Sequence, residues 1–137
     1  MAVREPSRRL VLLLAAGAAA CAVRPYSPCP IDVPTALPPE AFDLCRQVLA
    51  EAYGPVLVAD ERAFLLQTGW VPSPPAAERR AAVFRDPTPA NPDALAVVVE
   101  VRRITEPLLG LPQWTAPRGD AEAERDLAAS LVTALTR

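Results

Sequence analysis

Between residues 95 and 104 the chain alternates: Leu95, Val97, Val99 and Val101 fall on one side, Glu100 and Arg102 on the other. A period of two with one apolar side predicts an antiparallel strand buried on one face. Residues 63–71 (AFLLQTGWV) repeat the pattern, with Phe64, Leu66, Thr68 and Trp70 sharing a side. Residues 55–59 (PVLVA) are a short apolar run, and 78–86 (ERRAAVFRD) give another strand whose period Ala81 and Ala82 blur. Asp60, Glu61 and Arg62 mark a turn, and the proline-rich stretches 71–75 and 86–93 mark loops. Helical spacing brackets these strands. Over 40–53, Ala41, Leu44, Cys45, Val48 and Ala52 share a face, opened by Pro38, Pro39 and Glu40 and closed by Gly54 and Pro55. Near the end, Asp120 reads as an N-cap, Glu122 and Glu124 as first-turn acids, and Leu127, Leu131 and Leu135 recur every fourth residue. The irregular stretch 105–119 has room for a short edge strand at 112–116. The predicted order is α-β-β-β-β-α: a two-layer α+β sandwich in which a four-stranded antiparallel sheet carries the N- and C-terminal helices on one face.

Before this domain the pattern changes twice. Residues 1–9 (MAVREPSRR) are short and basic, residues 10–20 (LVLLLAAGAAA) are apolar, and Cys21 follows. This is the layout of a signal peptide. Eleven apolar residues cover only about half of a hydrocarbon core roughly 30 Å thick, too little for a spanning helix. The junction Ala18, Ala19, Ala20, Cys21 resembles the lipobox of bacterial lipoproteins, with Ala18 standing where Leu is usual. The resemblance implies cleavage before Cys21, a diacylglyceryl group on its sulfur and acylation of the new amino group. Two chains make a stable anchor where one does not. Ala22, in place of Asp, points in that family to the outer membrane. The alternative is ordinary secretion, since the three alanines also satisfy a conventional signal-peptidase site. Residues 22–39 hold six prolines, which excludes helix and central strand. The expected organisation is a signal peptide over 1–20, a lipidated Cys and proline-rich tether over 21–39, and the α+β domain over 40–137.

Composition narrows the chemistry. All 14 basic residues are Arg, and there is no His, so Ser-His-Asp and Cys-His catalysis and His-containing zinc sites are excluded within this chain. Without residues 1–20 the chain has 11 basic and 15 acidic residues, a poor balance for binding nucleic acid. Nucleophile-elbow, phosphate-loop, dinucleotide-fold and C-x-x-C motifs are all missing from the sequence. Asp60 and Glu61 read as a solvated turn; an envelope hydrolase would instead need two acids converging in a cleft. Trp70 and Trp114 either cap the ends of the core or, if exposed, anchor a partner or a glycan. The run 108–111 (LLGL) either packs inward or offers an apolar loop.

Beyond Cys21 two cysteines remain, Cys29 in the tether and Cys45 in the first helix. In an oxidising compartment a bridge between them would close a loop of roughly 15 residues and contribute about 3 kcal/mol; the alternative is two free thiols, with Cys45 acting as a small apolar residue. No metal site or cofactor is expected. The layout of 38–137 resembles small lipid-anchored accessory proteins that assist outer-membrane β-barrel or lipopolysaccharide assembly. That likeness implies a non-enzymatic binding role, with the membrane and an envelope protein as partners, and transfers no binding residue.

Overall fold

The computed structural model describes residues 28–33, 36–86, 93–106 and 109–137. The signal peptide, Cys21 and Leu108 lie outside these residues. In chain order the elements are β1 (Cys29–Ile31), α1 (Ala41–Tyr53), β2 (Val56–Asp60), β3 (Leu65–Thr68), β4 (Val71–Ser73), β5 (Ala77–Arg85), β6 (Leu95–Thr105), β7 (Gln113–Trp114), β8 (Arg118–Gly119) and α2 (Ala121–Leu135). The class is α+β, with an antiparallel sheet and an N- and a C-terminal helix. The sheet has eight strands where four were expected.

The extra strands come from fragmentation of the two lines that flank a long central hairpin. β5 and β6 pair over nine rungs, from Ala77 opposite Arg103 to Arg85 opposite Leu95. The outer side of β6 is lined by β1, β8 and β7 in turn, and the outer side of β5 by β3 and β4. β2 then pairs with β3. β1 falls within the proline-rich stretch because an edge strand needs donors on one side only, so Pro30, opposite Ala96, is tolerated.

Both helices cover one face. α1 packs on β2, β3 and β5, α2 packs on β6 and β1, and the helices pack on each other. The core between the layers contains Leu66, Val83, Val97, Val99, Leu49 and Leu131, all completely buried, with Leu127 and Leu135 nearly so. The buried stripe of α1 differs from the expected one: Phe42 and Leu49 join Ala41 and Cys45, whereas Ala52 is exposed. Phe42 is drawn in by an edge-to-face contact with Phe64, ring centroids 5.4 Å apart. Gly54 ends α1 at φ +85°, a left-handed conformation that favours glycine.

One rung of the hairpin organises the flanks. Ala81 and Val99 face each other, and each turns its backbone N–H outward, away from the other. On one side β3 ends at Thr68 and β4 begins at Val71; Thr68 Oγ1 accepts the Ala81 N–H at 3.0 Å. On the other side the gap lies between β1 and β8. There Glu124 Oε1 accepts the Val99 N–H at 3.1 Å, and the Val99 carbonyl accepts the Asp120 N–H at 2.9 Å. Thr68 and Glu124, 2% and 3% exposed, are the buried polar residues among those described. Glu124 therefore departs from the expected solvated first-turn acid. Glu122, two positions earlier, stays exposed, and Asp120 caps the helix as expected, accepting from the Ala123 N–H at 3.0 Å.

Burial raises the pKa of Glu124, opposed by the Val99 hydrogen bond. The folded protein thus holds this proton to higher pH than the unfolded chain. The stability from this group is full below the ordinary glutamate pKa and declines as pH rises through the raised value. Glu124→Gln keeps an oxygen acceptor without the buried charge, so its stability at neutral pH should match or exceed the parent's and lose this pH slope. Glu124→Leu removes the acceptor that Glu124 offers the Val99 N–H and should cost about 1–3 kcal/mol. Urea unfolding at several pH values checks both.

Candidate functional site

The face of the sheet opposite the helices brings together residues far apart in sequence. The register sets Glu78 opposite Arg102 and Arg80 opposite Glu100. Arg102 donates from Nε to Glu78 Oε2 at 2.8 Å and from Nη2 to the same oxygen, while Arg80 Nε donates to Glu100 Oε2. The faces of these guanidiniums are used as well. Arg102 lies 4.2 Å from the Trp70 ring centroid and 4.6 Å from that of Trp114, and Arg80 lies 4.5 Å from Trp70. A planar guanidinium can donate along its edge and stack on its faces simultaneously; an ammonium cannot. The resulting ladder runs Arg80, Trp70, Arg102, Trp114.

Trp70 reaches this face because the alternation expected over 63–71 breaks. Leu66 and Thr68 point to the helices, but after Gly69 the parity changes, and Val71 and Ser73 take the helix side opposite Arg79 and Ala77. An extra residue in a strand reverses which side chains face the core. Trp70 is thereby turned out, and neither Trp belongs to the core between helices and sheet.

Beyond Trp114 the surface becomes apolar. Trp114 pairs with Ile104 across β6 and β7, and the two are 41% and 39% exposed. Leu109 and Leu111, in the connection between these strands, are 102% and 82% exposed, so these two residues of the run take the outward reading. Chemically the ladder is closed, because both of its cations are ion-paired and stacked. It makes a polar-aromatic floor beside the exposed Ile104 and Trp114.

The other candidate residues lie elsewhere. Asp60 and Glu61 are exposed, and Asp60 Oδ1 accepts the Ala63 N–H at 3.1 Å, as a turn residue does. Cys29 and Cys45 are free cysteines in this structure. Cys29 sits on β1 at the sheet edge beside α2, while Cys45 sits on α1, which flanks α2 on the side of β2, β3 and β5. Cys45 is completely buried, which pushes its thiol up to about 12. Sequence reasoning missed the burial of Glu124 and the arginines of the helix-side face. The adjacent pairs Arg79-Arg80 and Arg102-Arg103 were a usable signal, since alternation sends one member of each to each face.

Comparison with family models, curated proteins and solved structures finds no match to this chain.

Two outcomes are expected. Arg102→Leu removes both stacks and strands Glu78, costing about 1–3 kcal/mol and altering tryptophan fluorescence. Arg102→Lys should recover less than half of that loss, and the exposed-helix change Arg125→Leu should do neither, as read by denaturant titration. Alkylation without reductant should modify Cys29 in the folded protein and Cys45 only after unfolding. A bridged pair would resist in both states.

Proposed function

We propose that this chain is a non-enzymatic, lipid-anchored cell-envelope protein, a binding or assembly accessory that faces the periplasm from the outer membrane. The tripartite leader and the lipobox-like junction at Cys21 support the anchor. The proline-rich segment after Cys21 supports a spacer, whose distal part, at β1, is tied to the domain.

The observation that carries the binding role is the exposure of Leu109 and Leu111, in the connection between β6 and β7, together with that of the paired Ile104 and Trp114, whose ring stacks on Arg102 of the ladder. Leucines exposed to this degree give nothing to the fold of the isolated chain. Against a partner they supply apolar area at small entropic cost, with the ladder as a polar rim. The partner class is an envelope protein.

The test uses a photoreactive residue at position 109 or 111 of the full chain expressed with its leader. A discrete protein adduct is expected from either position. Leu109→Asp with Leu111→Asp should abolish the adduct formed by a probe at position 104 and leave the melting temperature unchanged. Cys21→Ser should move the protein out of the detergent phase or block its processing. A probe at position 109 or 111 that gives no more adduct than one at Glu51, on the exposed side of α1, would refute the docking role.

A further inference from the structure

The helix-side face of the same hairpin ends in a cleft of about 590 Å³ lined by Arg79, Arg103, Arg118, Thr115 and Asp120, with Val101 as its floor. Its arginines differ from those of the ladder. Across the strands, Arg80 and Arg102 each face a glutamate, whereas Arg79 faces Val101, Arg103 faces Ala77, and Arg118 faces Val101 from the other side. Three cations from three strands thus converge where the register supplies no acid opposite any of them. The one carboxylate lining the cleft, among the described residues, is Asp120. It is engaged at both oxygens: Oδ1 caps the Ala123 N–H at 3.0 Å, and Oδ2 lies 3.4 Å from Arg79 Nη2. Arg79 Nε is buried and has no hydrogen-bond partner.

We infer that this cleft binds a phosphorylated small molecule, its phosphomonoester dianion held by Arg79, Arg103 and Arg118. The formal charge of the lining, three guanidiniums less one carboxylate, is complementary to a dianion. A guanidinium offers paired N–H donors in the fork that phosphate oxygens accept. The volume falls within the range of about 300–1,000 Å³ typical of small-molecule sites and exceeds what a bare phosphate fills, so an organic group accompanies it. The site is independent of Leu109 and Leu111, which do not line it.

The probes are inorganic phosphate and glycerol 3-phosphate, titrated into the full-length chain in non-ionic detergent and followed by calorimetry, with chloride at matched ionic strength as reference. Saturable binding of both is expected, with the phosphomonoester at least as tight as phosphate. Arg103→Gln and Arg118→Gln should each weaken it about tenfold or more, whereas Arg62→Gln, in the exposed turn before β3, should leave it unchanged. A melting-temperature rise with phosphate, present in the parent and Arg62→Gln and absent in the other two, gives a second readout. Lack of saturable binding to the parent, or equal weakening in Arg62→Gln, overturns the assignment.

Discussion

The sheet depends on how two outward-facing N–H groups at its middle rung are satisfied. The Ala81 and Val99 N–H groups lie where the flanking strands break, and an unmet buried donor costs about 1–3 kcal/mol. Thr68 and Glu124 reach in from opposite sides to accept them. This coupling explains why the flanks can be so fragmentary. β1, β8 and β7 are two or three residues long, too short to hold an edge alone. The start of α2 fills the gap between them, through the Glu124 carboxylate and the Asp120 N–H on the two outward groups of Val99. The last helix is therefore joined to the sheet by hydrogen bonds at its first turn and by Leu127, Leu131 and Leu135 along its length. A buried carboxylate is costly unless well partnered, so the register of α2 on the sheet is set by the one placement that partners it.

The same rung divides the arginines. Two Arg-Arg pairs sit on adjacent antiparallel strands, and strict alternation sends Arg80 and Arg102 to the open face and Arg79 and Arg103 to the helix face. On the open face the glutamates at 78 and 100 are in register and the bulge after Thr68 delivers Trp70, so charge is neutralised and the rings are stacked. On the helix face the register sets no acid opposite an arginine, and the cleft's carboxylate, Asp120, pairs with Arg79 alone. One short motif, used twice, yields a closed polar-aromatic surface and an open cationic cleft.

Much of this was legible in the sequence, and the illegible parts share a cause. The four main strands, both helices and the Asp120 cap follow from local periodicity and capping chemistry, which act over a few residues. β1 was hidden by its prolines, because a rule against central strands says little about an edge. The side taken by Trp70 was hidden by Gly69, where one extra residue reverses parity without a local mark. Its meeting with Trp114 depends on the pairing of β3 and β4 with β5, and of β7 with β6, over long sequence separations. Glu124 reads like its neighbour Glu122, and only the gap between β1 and β8 makes it a backbone partner. The candidate site was visible as two isolated tryptophans and a leucine run; their arrangement required the register.

The two faces also differ in what they can recognise. The ladder's guanidiniums are held by glutamates along their edges and by rings on their faces, so an incoming anion would have to displace bonds already made. The exposed Leu109 and Leu111 differ, since apolar side chains have no such bonds to break and would gain by leaving water. In the cleft, Arg103 and Arg118 face no acid across the strands, so the register gives an anion no cross-strand ion pair to displace there. One face is thus suited to broad, weakly polar contact and the other to a compact charge. The sheet separates them, so a macromolecule on one side and a small anion on the other need not compete for surface.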